Sequence, residues 1–164
     1  MPEGRKGVIA NMLRPLLFGI LNITEDSFSD GGRFLAPDAA KAQARKLIAD
    51  GADALDLGGA SSNPNAKPVP PETEIARLAP LVAEAAHAGW SISIDSIALE
   101  TQKWAMTAGA DYINDIQGFP DPALYPDLAA AKCKLIVMHS VQGPGRAQKI
   151  DTDFSVNLPV TIST

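Results

Sequence analysis

A chain of 164 residues, 46% hydrophobic and 20% charged, can build one compact domain and is too apolar for wholesale disorder. Its formal net charge is -5, and its 14 Lys and Arg are interspersed among 19 Asp and Glu, so no basic block offers a grip for nucleic acid. The single cysteine, Cys133, excludes an internal disulfide and a cysteine-rich metal knuckle, and no apolar run reaches bilayer length. The segment 8–17 is broken by Asn11, Arg14 and Pro15, which makes a poor signal peptide and points to a cytoplasmic enzyme or enzyme fragment.

Residues 1–14 lack a periodic pattern and read as an N-terminal extension. An apolar run at 16–21, containing Phe18 and Ile20, predicts a first strand, and turn formers from Asn22 through Gly32 predict a long glycine-rich loop. A helix is predicted over 38–50, where Ala40, Ala44, Leu47 and Ile48 recur at spacings of three and four and Gly51 suits the stop. A short strand at 54–57 leads into a second loop, 58–71, rich in Gly, Ser, Asn and Pro. The next helix, 72–88, sets Ile75, Leu78, Val82 and Ala86 on one face, with a kink expected at Pro80 and an end at Gly89. Further strands at 90–94, around Tyr112 and Ile113, and at 135–138 alternate with helical segments running to about Ala108 and spanning 121–131. Cys133, opening the last apolar run, reads as a buried structural thiol. Trp104 and Met106 read as helix-packing residues, and His87 as a surface residue near a helix end.

Short apolar strands alternating with helices predict an α/β fold with a parallel sheet covered by helices. A faint echo between Gly51-Ala52-Asp53-Ala54-Leu55-Asp56 and Gly109-Ala110-Asp111-Tyr112-Ile113-Asn114 fits repeated strand–helix units. Polar residues recur where the strands end: Asn22, Asp56, Asp95, Asn114 with Asp115, and His139. In an α/β barrel all these ends share one rim, the rim that carries active sites. For any one of them, helix capping or turn formation competes with a site role. Asp95 can accept from two adjacent N–H groups of an amino-substituted heterocycle, and Asn114 can both donate and accept along such an edge. Asn22 can offer its carbonyl oxygen to a hard divalent cation. Ser29-Asp30-Gly31-Gly32-Arg33 suits either an anion or an ordinary turn with a solvated arginine.

The run Gly19-Ile20-Leu21-Asn22-Ile23-Thr24-Glu25-Asp26-Ser27-Phe28-Ser29-Asp30-Gly31-Gly32 resembles the opening signature of dihydropteroate synthases. Segments 53–64, 93–96, 113–116 and 137–139 resemble further family motifs in the same order, so the likeness covers about 16–148. It implies a TIM barrel of the pterin-binding type, joining 6-hydroxymethyl-7,8-dihydropterin diphosphate to 4-aminobenzoate in folate biosynthesis. By the same resemblance Asn22 falls at the residue associated with Mg²⁺ and diphosphate, and Asp95 and Asn114 fall in the pterin pocket. Asp56 falls at a rim position, and His139, in the matching segment 137–139, reads either as a substrate-binding residue or as a structural hydrogen-bonding residue at a strand end. Ser61 and Ser62 lie where the family has its second loop, which usually carries Thr-Arg. Here the pair is Ser62-Asn63, and asparagine cannot reproduce an arginine fork. The Gln117-Gly118-Phe119-Pro120-Asp121-Pro122 connection resembles the sulfonamide-insensitive branch, as do Glu25, the Ser-Asn-Pro loop and Met138-His139-Ser140-Val141-Gln142. That likeness implies a Phe119 that crowds the larger drug at the aminobenzoate site.

A whole barrel needs about 250 residues. Only five strand signals fit here, so the expected architecture is a truncated barrel of about five parallel strand–helix units over 15–148. A divergent tail follows over 149–164, where Phe154, Val156, Leu158, Val160 and Ile162 alternate with polar residues or proline. The family's later Asp-Pro-Gly, Ser-Arg-Lys and Arg-x-His regions have no counterpart in this sequence. The expectation is therefore a synthase-like chain with little turnover alone, which would pair with another copy through exposed barrel edges. An inactive remnant or assembly piece, or a pterin-binding methyltransferase domain, is the alternative.

Overall fold

The alternating strand and helix signals fold into a single parallel sheet in the computed structural model, which describes residues 14–24, 37–61 and 67–138. The order along the chain is β1 (Phe18–Asn22), α1 (Pro37–Ala49), β2 (Ala54–Gly58), α2 (Pro71–Ala88), β3 (Ser91–Asp95), α3 (Leu99–Ala108), β4 (Tyr112–Asp115), a 3₁₀ turn (Pro122–Leu124), α4 (Tyr125–Ala130) and β5 (Lys134–Val137). Each strand pairs in parallel with the next, giving the sheet order β1-β2-β3-β4-β5. These are the expected five parallel units of a partial barrel. Of the N-terminal extension 1–14 only Arg14 is described; the Ser29–Arg33 loop and the 149–164 tail lie outside the described residues.

Side chains alternate between the two faces of each strand, so the register sorts them into two surfaces. On the helix side, Leu21, Leu55, Leu57, Ile92, Ile94 and Ile113 are buried beneath Ala40 and Ala44 of α1, Leu78, Leu81, Val82 and Ala85 of α2, and Ala105 of α3. Leu47, Ile48, Trp104 and Met106 pack at the margin of this core, as their helical spacing predicted. The buried stripe of α2 differs from the predicted one. It runs through Glu74, Leu78, Leu81, Val82 and Ala85, leaving Ile75 half-buried and Ala86 exposed. The helix is rotated because it seats the Glu74 carboxylate inward, which an apolar count overlooks. The helix runs unbroken through Pro80. It ends at Gly89, as α3 ends at Gly109; both are left-handed (φ 70° and 90°), and their N–H groups close the last turns on Ala85 O and Ala105 O. Cys133 is half-buried at the core margin rather than fully enclosed, and burial pushes its thiol pKa up.

Close approach of α2 to β2 depends on a residue without a side chain. A Cβ at Gly59 would lie 2.8 Å from Glu74 Cγ and 3.0 Å from Glu74 O. Gly59→Ala is therefore expected to cost about 2 kcal/mol of stability through overpacking. Urea denaturation would show this as a lower midpoint with an unchanged slope, and an unaltered midpoint would mean that α2 shifts freely.

Candidate functional site

The inner face of the sheet is layered. At the start of the strands Phe18 of β1 meets Tyr112 of β4 edge to face, ring centroids 5.1 Å apart, across the small residues Ala54 and Ser91. Lys134 Nζ lies 5.4 Å from the Tyr112 ring centre. One layer up, Ile20, Asp56, Ser93 and Tyr112 stand in register, and above them Asn22, Gly58, Asp95 and Asn114 form the row at the strand ends. The chain thus places apolar and aromatic groups deep and polar groups at the mouth. Four strands supply that order: β1, β3 and β4 carry Asn22, Asp95 and Asn114 at their ends, and β2 carries Asp56 one layer below.

The structure brings Asp56, Asp95 and Asn114 together. Asn114 Nδ2 donates to Asp56 Oδ2 at 3.2 Å. Their other oxygens, Asp56 Oδ1 and Asn114 Oδ1, are buried without a protein partner, as is Ser93 Oγ between them. Unmatched buried acceptors are costly unless something donates to them, so this wall is chemically suited to a ligand rich in N–H groups. Burial raises the Asp95 carboxyl to about pH 6, and the neighbouring charges of Asp56, Glu74 and Asp115 add to the rise. At neutral pH Asp95 is an ionised acceptor in a poorly solvated setting, where a hydrogen bond to it is strengthened.

Asn22 stands exposed at the mouth with its carboxamide over β2. A Cβ on Gly58 would lie 2.6 Å from Asn22 Oδ1, so the glycine makes room for it. Among the described residues no group of three or more His, Cys, Asp or Glu is disposed to hold a metal. A lone carboxamide such as that of Asn22 could offer a hard cation at most one oxygen. Ser61 follows β2 and is half-buried; Ser62 and His139 lie outside the described residues.

Phe119 is not at the mouth. It is 4% exposed, with φ 59°, and its ring belongs to the apolar core. Gly118 before it is left-handed too (φ 73°), and this tight turn sends the ring to the helix side. Tyr125 Oη donates to Phe119 O at 3.2 Å and holds the turn in place. Direct crowding of a ligand by the Phe119 ring is therefore not what this arrangement provides.

A second polar layer, on the helix side, escaped sequence reasoning. Glu74, 2% exposed, accepts from Ser96 Oγ (2.9 Å) and Thr101 Oγ1 (2.6 Å). Burial raises its pKa, against the lowering pull of those two hydrogen bonds and of Arg77. The available signal was an acidic residue at the helical spacing of Leu78, Leu81 and Val82. The open dent lined by Asp111, Lys132, Cys133 and Lys134 lies at the opposite ends of the strands and shares nothing with the mouth.

Comparison with known proteins agrees with this geometry. The family described as pterin binding enzyme matches residues 18–157. The type-2 dihydropteroate synthase of Escherichia coli is 61% identical over 127 residues, 77% of this chain and 47% of that protein. A Burkholderia cenocepacia dihydropteroate synthase complexed with 7,8-dihydropteroate superposes with a TM-score of 0.69 at 39% identity, covering 80% of this chain and 44% of the other. The Xanthomonas albilineans enzyme with 4-aminobenzoic acid gives 0.72 at 38% identity, over 85% and 50%. The chain spans about half the length of the relatives it matches. No helix among the described residues is long and apolar enough to cross a membrane.

Proposed function

Since the chain belongs to the pterin-binding enzyme family, and within it to the dihydropteroate synthases, we propose that its mouth is the pterin-recognising half of a synthase site. The observation that carries the reading is the wall of Asp56, Asp95 and Asn114 with its unpartnered buried oxygens. Asp95 accepts from adjacent ring and amino N–H groups of the pterin. Asp56 holds the Asn114 amide nitrogen and so turns the Asn114 carbonyl oxygen toward the ligand as an acceptor. Ser61, Ser62 and His139 belong to the same rim by resemblance, and a cytoplasmic setting is part of the same proposal.

In the reaction so assigned, the amino nitrogen of 4-aminobenzoate forms a bond to the pterin methylene carbon. The bond from that carbon to the diphosphate oxygen breaks, diphosphate leaves with the electron pair, and the nitrogen loses a proton. No covalent enzyme intermediate is needed. Asp95 orients the pterin and favours electron donation from its ring without acting as a proton-transfer base. Mg²⁺, when bound, offsets the charge that develops on diphosphate. Asn22, held over Gly58, would supply one oxygen to such an ion. Sulfonamide insensitivity is part of the proposal through the course of the 117–122 backbone, since the Phe119 ring is committed to the core.

Calorimetric titration of the full chain with the pterin diphosphate, with and without Mg²⁺, tests this reading. Binding that needs Asp95, and a magnesium enhancement that Asn22→Ala reduces by about tenfold, is the expected result. A magnesium enhancement unchanged in Asn22→Ala would remove Asn22 from the metal role, and absence of pterin binding would remove the function.

A further inference from the structure

The end of β3 is held from several sides at the residue directly after Asp95. Ser96 donates its backbone N–H to Asn114 O (3.1 Å), and its hydroxyl donates to Glu74 Oε2 (2.9 Å) while accepting from the Ala98 N–H (3.1 Å). Its carbonyl oxygen accepts from Gln102 Nε2 at 2.7 Å. The same nitrogen of Gln102 donates to Asp115 Oδ2 at 2.9 Å. Asp115, directly after Asn114, accepts in turn from the backbone N–H groups of Gln117 (2.7 Å) and Phe119 (3.2 Å). Gln102 is 2% exposed and Asp115 1%.

A primary amide has two hydrogens, and here both are used. One fixes the chain beside Asp95, and the other fixes the side chain beside Asn114. Asp115 neighbours Asn114 on β4 and so faces the helix side of the sheet, and Gln102 reaches it from α3. Gln102 therefore has no access to a ligand in the mouth and acts only through the two strand ends.

We infer that Gln102 is a positioning residue for ligand recognition: it sets the spacing between Asp95 and Asn114, and with it the selectivity for a ring edge that presents an amino group. The inference rests on the pterin reading of the mouth. If the spacing relaxes, one of the two contacts to the ring edge is lost first, and a ligand bearing the 2-amino group loses more than one lacking it.

The experiment compares the full chain with Gln102→Met, which keeps length and removes both donors. Affinities for 6-hydroxymethylpterin and for its analogue with oxygen in place of the 2-amino group are measured by calorimetry. In parallel, backbone amide NMR peaks of Asp95, Ser96, Asn114 and Phe119 are followed against those of Phe18 to Leu21. The expected result is a selectivity ratio lowered by about tenfold, with peaks displaced at the strand ends and not at the strand starts. A smaller folded fraction would weaken both ligands equally and leave the ratio unchanged, so a purely structural role does not mimic this outcome. An unchanged ratio overturns the inference. If the parent chain binds neither ligand, the pterin reading fails, and the spectra decide the positioning role: undisplaced peaks at Asp95 and Asn114 overturn it. Should Gln102→Met not fold, Gln102→Asn, which keeps the donors but is too short to reach both acceptors, is judged by the same two readouts.

Discussion

Replacing Asp95 with Asn is expected to weaken pterin binding by about ten- to a hundredfold while making the folded chain more stable at neutral pH. Both effects have one cause. Burial, with the charges of Asp56, Glu74 and Asp115, raises the Asp95 carboxyl from 3.8 to about 6. The folded state therefore holds that proton more tightly than the unfolded chain does. Asp95 costs no stability below about pH 4, costs progressively more as pH rises toward 6, and carries its full cost above that. Discounted for partial exposure, the full cost is about 1–2 kcal/mol. Asn carries no charge and avoids it, so the variant should melt higher than the parent at pH 7.5, with the gap closing near pH 4. Binding has the opposite dependence. The parent should lose pterin affinity as pH falls through about 6, and the Asn variant should show no inflection there. A variant that is less stable at pH 7.5, or that keeps the parent's affinity, would take Asp95 out of the recognition site.

Assayed by itself, the 164-residue polypeptide is expected to form dihydropteroate at least about a thousandfold more slowly than a synthase with a complete barrel. The β1 and β5 edges have no described strand beyond them, and closure of a barrel requires both to be paired. Leu135 and Val137, on the face of β5 that helices cover elsewhere, are 41% and 61% exposed, and Ile20 on the inner face is 66% exposed. Such apolar surface favours association, so light scattering on the eluted protein should report more than one copy. Chemistry points the same way. The row Asn22, Gly58, Asp95, Asn114 contains no Lys or Arg, and diphosphate cannot leave rapidly without positive charge near it. A product assay with Mg²⁺, the pterin diphosphate and 4-aminobenzoate measures this directly. Rapid product formation by a monomer, abolished in Asp95→Asn, would refute the expectation. Binding without turnover would support the alternative of an assembly piece.

Local chemistry was legible in the chain itself. Apolar runs of strand length stop at Asn22, Asp95 and Asn114, and Gly89 and Gly109 stop the helices, because backbone conformation and side-chain alternation are decided within a few residues. The order of five parallel units follows from that punctuation. What the linear pattern left open depends on groups far apart in sequence. Asn114 finds Asp56 58 positions away, and Ser96 and Thr101 find Glu74 over 22 and 27. Glu74 lies in the buried stripe of α2, where its desolvation is offset by the hydroxyls of Ser96 and Thr101 and by the charge of Arg77. Phe119 shows the same dependence on packing. Its neighbourhood suggested the mouth, but two left-handed residues in succession and the Asp115 carboxylate turn the ring into the core. Residue type and spacing determine which groups stand at the strand ends. Only tertiary packing decides which of them are desolvated, which lose their partners, and which are turned away, because desolvation and hydrogen-bond matching belong to the assembled sheet and not to any one strand.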